Sequence, residues 1–575
     1  MSGAIEVTYP IFLRLISVQA ALLRNPLFWL VAIFGVYCLA IPIDVMEVDS
    51  AQYFSMSAEM LERGNFLEFT DRGKEYLDKP PLIFWVTGLF FYVFGIGEFA
   101  FKLPSILFSL LGIYATYRLA RVYYSKETAL LAAVILASTQ GYFHFNNDVR
   151  TDTYLTNSVI TSVWLIAEFL NNRKFIFCVA GFFFAALAML AKGPMGLVAP
   201  IAAFGCHIAI KGEWKKMARW EWIAGIVVLA VVLAPMLYGL YYQFDLQPDK
   251  WVNGKQGVSG LRFYFWEQSF GRITGENVWK NDTGPFFFVH NLAWSFMPWS
   301  VLIFGAFFRL LVSLKSPASF RSSRVECISW GGFLLPFVAL SMSKYKLPHY
   351  IYVTFPFAAI ICAEYFYNVL LKNAKGLRWV SAAQCVLLIL VWILAIFLSF
   401  ICFYPDAPFA VAAIFAILTV FFVYVLFTQE ATLGLRFTKL SLITALGINA
   451  ILALHIYPSI LKYQAGSPAA KYALDNKLPL DRLFVYEVNG RSLDVYTQHV
   501  QKEISLSGIK QELLTQKPMF VFTNKEGFES LKTSGLNVES LFKTRSYAVT
   551  LLTSNFLNPQ TRTEVLNTGY IVRIQ

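Results

Sequence analysis

Apolar runs of roughly 17 or more residues recur from about residue 25 to about residue 458, separated by short polar loops. About fourteen such runs can be counted, each long enough to predict a helix across a bilayer. From residue 459 the period changes. Strand-length apolar stretches ("RLFVYEV", "PMFVFTN", "YIVRIQ") alternate with polar helical stretches such as "GIKQELLTQ", which predicts a small soluble α/β domain over 459–575 behind a membrane domain over 1–458.

Basic residues test the count. Arg118/Arg121/Lys126, Arg173/Lys174, Lys211/Lys215/Lys216/Arg219, Lys315/Arg321/Arg324 and Lys372/Lys375/Arg378 should all lie on the cytoplasmic side, and with fourteen crossings they cannot. If the run 80–96 lies along the outer surface instead of crossing, every cluster falls inside. The expectation is then a mostly α, polytopic bundle of about thirteen spans, with a cytoplasmic amino terminus and an external tail. Four segments share the outer face: 44–99, with interfacial helices, 145–152, 243–285 and 343–347.

Composition agrees with a bilayer protein: 57% of residues are hydrophobic and 15% charged, against about 25% charged in a soluble domain, and the mean hydropathy is +0.54. The net charge of +12 sits in short loops, where it orients helices and argues against nucleic acid as a partner. Seven cysteines fall in or beside apolar segments with no CxxC, so they read as small core hydrophobes. "NPLFWLVAIFGVYCLAIPI" is expected to be an uncleaved first span. The spans carry almost no charge beyond Lys192 in "LAKGPMG". No Gly-rich nucleotide fingerprint follows a strand of the tail.

The chemistry therefore has to come from the outer segments. In "MEVDSAQYFSMSAEMLERGNF", Asp49 and Tyr53 are four apart and share a helix face, with Asp49-Ser50 suited to capping. In "EYLDKPPLIFW", Pro80-Pro81 holds Lys79 extended just before a helix begins, and Asp78 beside it can pair or take a cation. "FHFNNDVRTDTYL" places Asp148 and Asp152 four apart, on one face if the helix starts there. "RFYFWEQSFGRITGENVWKNDTGPFFF" sets Arg262, Glu267 and Arg272 among aromatics. "SMSKYKLPHYIYVTFP" sets Lys344, Tyr345, Lys346 and His349 in a short outer loop whose positive charge opposes the inside bias and suits an anionic ligand. Cations suit the phosphate of a lipid-linked substrate, and carboxylates suit a base or stabilisation of a sugar oxocarbenium.

In order and spacing, "VDSAQYFSMSAEM", "KPPLIFW", "FKLPSILFSLLGIYATYRLARVYY", the Asp152 loop, "FWEQSFGRI" and "SKYKLPHYIYVTFPFAA" resemble the type C membrane glycosyltransferases, in the dolichyl-phosphate-mannose-protein mannosyltransferase-like and lipid A aminoarabinose transferase branch. The resemblance implies an inverting glycosyltransferase that moves a sugar from a polyprenyl-phosphate donor to a glycolipid, glycan or protein acceptor on the outer face of a bacterial inner membrane. It implies catalytic roles for Asp49, Asp152 and Lys79, and a donor-phosphate pocket of Lys79, Tyr53, Arg272 and Tyr345. Asp78, Asp148, Glu267, Lys344, Lys346 and His349 are expected to line the substrate more loosely. The family commonly has Asp-Glu where this chain has Asp49-Ser50. No cofactor is called for, and a divalent cation at Asp78 is left open. A transporter or flippase for a lipid-linked or anionic substrate is the competing reading, although transporters usually gather ionisable groups near the midplane.

Overall fold

The computed structural model describes residues 25–575 apart from 253, 269–270, 272–280, 282, 315–325, 428–431 and 516–517. Its amino-terminal part is a helix bundle. Helix α1 (Pro26–Leu39) starts at an Asn25 cap and leads into an outer loop that holds α2 (Asp49–Arg63) and α3 (Leu82–Phe94). The bundle continues through α4 (Glu98–Tyr123), α5 (Lys126–Ser138), α6 (Gln140–Asn147), α7 (Thr151–Asn172), α8 (Phe175–Lys192), α9 (Met195–Lys211) and α10 (Glu221–Leu240). Among the described residues, seven helical segments are long and apolar enough to cross a membrane, and α5 with α6, bent by 55° at their junction, makes an eighth. Five more apolar helices are shorter, α3 among them. At 1.5 Å per residue α3 is about 20 Å long, less than a bilayer core of about 30 Å.

Helix α7 shows why a bundle of this kind tolerates polar residues. It is buried almost throughout, yet carries Thr156, Asn157, Ser158, Thr161 and Ser162. Small side chains let neighbouring backbones approach, and in an apolar medium helix contacts come from close packing and hydrogen bonds. Gly112 of α4 passes directly under Asn157, where a Cβ would stand 1.8 Å from Oδ1; that oxygen accepts from the Tyr142 hydroxyl at 2.7 Å. The spans are less free of charge than their sequence suggests. Lys102 is buried in α4, and its ammonium donates to the carbonyls of Ile41 at 2.8 Å and Ala40 at 3.4 Å, and also to that of Ile43. These carbonyls belong to the turn that follows α1.

Two ends of the bundle differ sharply. Helix α7 begins beside Asp152 and ends at Arg173, and α8 runs back from Lys174 to Lys192. Arg118 near the end of α4 pairs with Glu168 at 2.8 Å, so this basic set lies at the end away from Asp152.

The tail folds as a four-stranded sheet, β3 (Leu483–Tyr486), β4 (Met519–Asn524), β5 (Val538–Ser546) and β6 (Asn567–Ile574), in the order β3-β4-β6-β5. The β1 and β2 strands form a hairpin in the outer loop, Thr70–Asp71 and Lys74–Glu75. In the sheet β3 and β4 are parallel, in register Leu483↔Phe520, and the remaining pairs are antiparallel. Successive residues face opposite sides, so Phe520 and Phe522 pack with Ala469, Ala473 and Leu493, while Met519 and Val521 pack with Ile509 and Leu531. Helices therefore cover both faces of the sheet.

Candidate functional site

Helix α2 is amphipathic and ends at Gly64, whose φ of 64° is the left-handed stop that glycine supplies. Asp49 occupies its first turn, but caps nothing: its side chain reaches the guanidinium of Arg150 at 2.5 Å. Tyr53, one turn on, is buried and packs edge-on against Phe84 of α3 with centroids 6.0 Å apart. Burial first, then the charges of Asp49 and Tyr76, push its phenol well above the ordinary value, so it can act as a hydrogen-bond donor and does not ionise. The turn to α3 contains Asp78, whose carbonyl accepts from Gln268, and then Lys79, half-buried ahead of Pro80-Pro81.

Asp148 and Asp152 do not share a helix face, as their spacing predicts. Helix α6 ends at Asn147, Val149 takes a left-handed φ of 48°, and α7 begins only at Thr151. Such a conformation is a genuine outlier for a β-branched residue and costs on the order of 1–3 kcal/mol, which the surrounding contacts must offset. The kink sends the two carboxylates to different partners. Asp148 pairs with the Arg150 Nε, while Asp152 takes Lys192 Nζ at 2.5 Å and lies 3.7 Å from His349 Nε2. Lys192 also stands 4.2 Å from the centre of the Tyr350 ring.

Arg150 is thus a clamp between Asp49 and Asp148, with its guanidinium 5.8 Å over the Phe145 ring. Burial alone would lower its pKa; the two carboxylates outweigh that and hold it above its ordinary value. The three acids differ in reach: the side chain of Asp49 is 37% exposed, those of Asp148 and Asp152 2% and 4%. Only Asp49 is open to an incoming group. Sequence reasoning did not single out Arg150 or assign a role to Lys192. The available signal was an outer-face arginine flanked by two aspartates in "NNDVRTD", against the charge bias of the loops.

The remaining candidates are dispersed. Tyr345 sits near Tyr350, with centroids 6.4 Å apart. Lys346 is committed to the carbonyls of Thr283 at 3.0 Å and Gly284 at 3.2 Å, which makes it a brace between loops. Lys344 is exposed, and Glu267 stands 3.4 Å from Arg262. Arg272 lies outside the described residues. Among the described residues no three His, Cys, Asp or Glu side chains converge as metal ligands.

Two further features frame the cluster. An open apolar groove of about 560 Å³ runs along α3, where Trp85, Leu89 and Tyr92 recur at helical spacing opposite Leu61, Leu67 and Pro235. On its other side α2 is held by the tail. The hairpin turn Asp71-Arg72-Gly73-Lys74 has φ of 52° at Arg72 and 77° at Gly73, the two left-handed residues of a tight two-residue hairpin. This geometry aims Arg72 into the tail, where it grips Asp494 at 2.9 and 3.0 Å and donates to the carbonyls of Asn489 and Gly490. Arg491 grips Asp71 in return, and Ser55 of α2 donates to Asp494 at 2.8 Å.

Residues 78–238 match the family model described as dolichyl-phosphate-mannose-protein mannosyltransferase. An uncharacterized protein of Aquifex aeolicus is 25% identical over 363 residues, 62% of this chain and 66% of that protein. The undecaprenyl phosphate-alpha-4-amino-4-deoxy-L-arabinose arabinosyl transferase of Shewanella sediminis is 23% identical over 385 residues, 64% of this chain and 65% of its own length. These matches thus span just under two thirds of either relative. The crystal structure of ArnT from Cupriavidus metallidurans in the apo state superimposes with a TM-score of 0.72 at 16% identity, covering 95% of this chain and 97% of that one. In sequence and fold the chain is similar to the ArnT-like, type C membrane glycosyltransferases. The fold is accordingly shared with that structure over 95% of the chain, and the ArnT crystal structure bound to undecaprenyl phosphate matches equally well, with a TM-score of 0.71.

Proposed function

We propose that this protein transfers a sugar from a polyprenyl-phosphate-linked donor to an acceptor at the extracytoplasmic face of a bacterial inner membrane, with inversion at the anomeric carbon. The observation that carries the reading is the Asp49–Arg150–Asp148 clamp, set beside Asp152–Lys192 at one end of an apolar bundle. Charge of this density is costly beside lipid unless it is paired or serves chemistry. Its position at one end, not at mid-depth, favours transfer over transport.

In this reading Lys79 holds the donor phosphate, with Tyr345 and Arg272 as further phosphate ligands, and the polyprenyl chain lies in the groove along α3. The bond between the anomeric carbon and the phosphate oxygen breaks, and the acceptor oxygen attacks from the opposite side. Negative charge grows on the departing phosphate, and each preorganised cation facing it is worth about 2.7–4 kcal/mol. An arriving phosphate competes for the Arg150 guanidinium and frees Asp49 to take the acceptor's proton, while Asp152, fixed by Lys192, faces the developing positive charge of the sugar.

The test is mass spectrometry of membrane lipids and glycans from cells with the wild-type protein, Lys79→Ala, Asp49→Asn, or none. The expected result is an accumulated lipid-linked sugar and one missing glycosylated product in all three deficient strains, with both variants present in the membrane at normal level. Unchanged lipids and products in those strains would overturn the transferase reading and favour transport.

A further inference from the structure

The tail meets the bundle at a second place besides the outer loop. Residues 547–561, between β5 and β6, carry no charge, and every other stretch of 459–575 is broken by a charged residue sooner. Its first part, "YAVTLLT", is a tight projection with two leucines at the tip. We infer that this projection is a membrane anchor, and that Leu551 and Leu552 insert among the acyl chains of the leaflet on the tail's side. The inference concerns how the tail is held, goes beyond the transfer reading and does not depend on it.

The base of the projection is rigid and lies level with the ends of two spans. The Tyr547 N–H donates at 2.9 Å to the carbonyl of Tyr463, just past the span Leu433–Leu461. The Tyr547 ring stacks on Phe556 with centroids 3.9 Å apart, and Phe556 is fully buried against Phe403 and Tyr463. The Arg562 guanidinium lies over the same aromatic rings and donates to the carbonyl of Cys402, where the span Ala374–Cys402 ends. The projection therefore starts where two helices leave the bilayer.

Its tip is apolar, and the rest of the chain does not cover it. Leu551 is 67% exposed and Leu552 46%. Leu552 shares one apolar space with Leu398 and Leu394, which stand about one and two turns before the helix end at Cys402, or about 6 and 12 Å at 1.5 Å per residue. On the same helix Leu390 and Ile401 are exposed toward lipid, and Tyr404 and Phe409 are exposed just beyond it, as aromatic side chains are at a bilayer boundary. The tip thus continues a surface that acyl chains already cover. Its backbone suits the same medium. The Leu551 N–H donates to the Ala548 carbonyl at 2.8 Å, and the Leu551 carbonyl accepts from the Tyr547 hydroxyl at 2.8 Å. Thr553 bonds that hydroxyl at 2.8 Å and accepts from the Phe556 N–H at 3.3 Å. Unmet backbone groups are costly in hydrocarbon, so a turn that closes its own groups can enter it.

Leu514 supplies the contrast. It is 86% exposed, but it follows the helix Leu506–Glu512, which covers the face of the sheet opposite to Leu493 and its helix, the one that meets α2 through Asp494. It is a lone apolar side chain far from the span ends, and such residues are ordinary on a surface.

The experiment places an environment-sensitive NBD fluorophore on Leu551→Cys in the full-length protein, in vesicles of phosphatidylethanolamine and phosphatidylglycerol. Wild type treated alike sets the background of the seven native cysteines. A nitroxide near the ester end of the acyl chain is expected to lower the emission at 551 about threefold and to leave Leu514→Cys unchanged. Leu552→Glu, a charge added to the tip, should weaken that quenching about threefold. If the label at 551 prevents reconstitution, Thr550→Cys carries it instead. Emission at the tip that the nitroxide lipid leaves unchanged, quenching as strong at 514, or quenching undiminished by Leu552→Glu would each overturn the inference. Energy transfer between tip labels on different chains, lost as lipid is added, would assign the tip to a second copy of the chain and overturn it too.

Discussion

Two regions of this molecule are built from the same chemistry, arginine gripping aspartate, and differ in how completely they are closed. At the junction of outer loop and tail, the Arg72 and Asp494 side chains are 0% and 1% exposed, and the guanidinium also serves two backbone carbonyls. At the proposed reaction centre Arg150 holds two carboxylates, one of which is 37% exposed. The first pair has no reason to open, and every group on it is satisfied. The second can exchange a partner. A buried, fully bonded ion pair fixes geometry, whereas a half-open one of the same composition can be a reagent.

Breaking the closed pair should give the larger effect. Arg72→Ala leaves Asp494 buried without its cation, at an expected cost of about 3–5 kcal/mol, read as a lower melting temperature and faster proteolysis between bundle and tail. Combining Arg72→Met with Asp494→Leu should recover most of that loss, since removing both charges also removes the desolvation cost. If Arg72→Ala melts like the wild type, the junction does not hold the tail. Opening the second pair acts on activity instead. Asp49→Asn should lower kcat by about a hundredfold, with a stability change within about 1 kcal/mol, because Asp49 is 37% exposed and Arg150 keeps Asp148 as its buried partner. An equal loss of fold in both variants would erase the distinction drawn here.

The smallest effect concerns pH. Burial alone would raise the Glu503 carboxyl; Lys74, Arg491 and Arg72 outweigh it and hold its pKa below the ordinary value. A carboxylate depressed in the folded state adds stability above its unfolded pKa and loses it as pH falls through the folded one. Wild type should therefore melt slightly above Glu503→Gln at neutral pH, and the gap should close as the solution is acidified below the ordinary glutamate range. A gap that stays constant down to strongly acid solution would remove Glu503 from the junction's charge balance.

How much of this could be read from the chain follows the range of each signal. Helix α2 was legible because its apolar positions recur at helical spacing within one segment, and the strands β3, β4 and β6 because their alternation is local. Strand β5 was not, since its residues are largely half-exposed and it lacks the apolar run of its neighbours. The shared face expected for Asp148 and Asp152 failed at a single dihedral, that of Val149. Lys102 escaped notice because its partners are backbone carbonyls about sixty residues away, which no side-chain pattern records. The grip of Arg72 on Asp494 spans 422 positions, and only the folded chain brings them together.

That span also sets an order of events. Helix α2 is made early, but the side chain that Ser55 bonds to arrives 439 residues later. At a synthesis rate of about 5–20 residues per second, the wait is on the order of tens of seconds. Until then Arg72 and Asp71 stay hydrated and α2 lacks one of its two supports, so the helix that carries Asp49 acquires its final seat only when the tail has folded against it. A chain without the tail would display the outer loop without the partner that closes it.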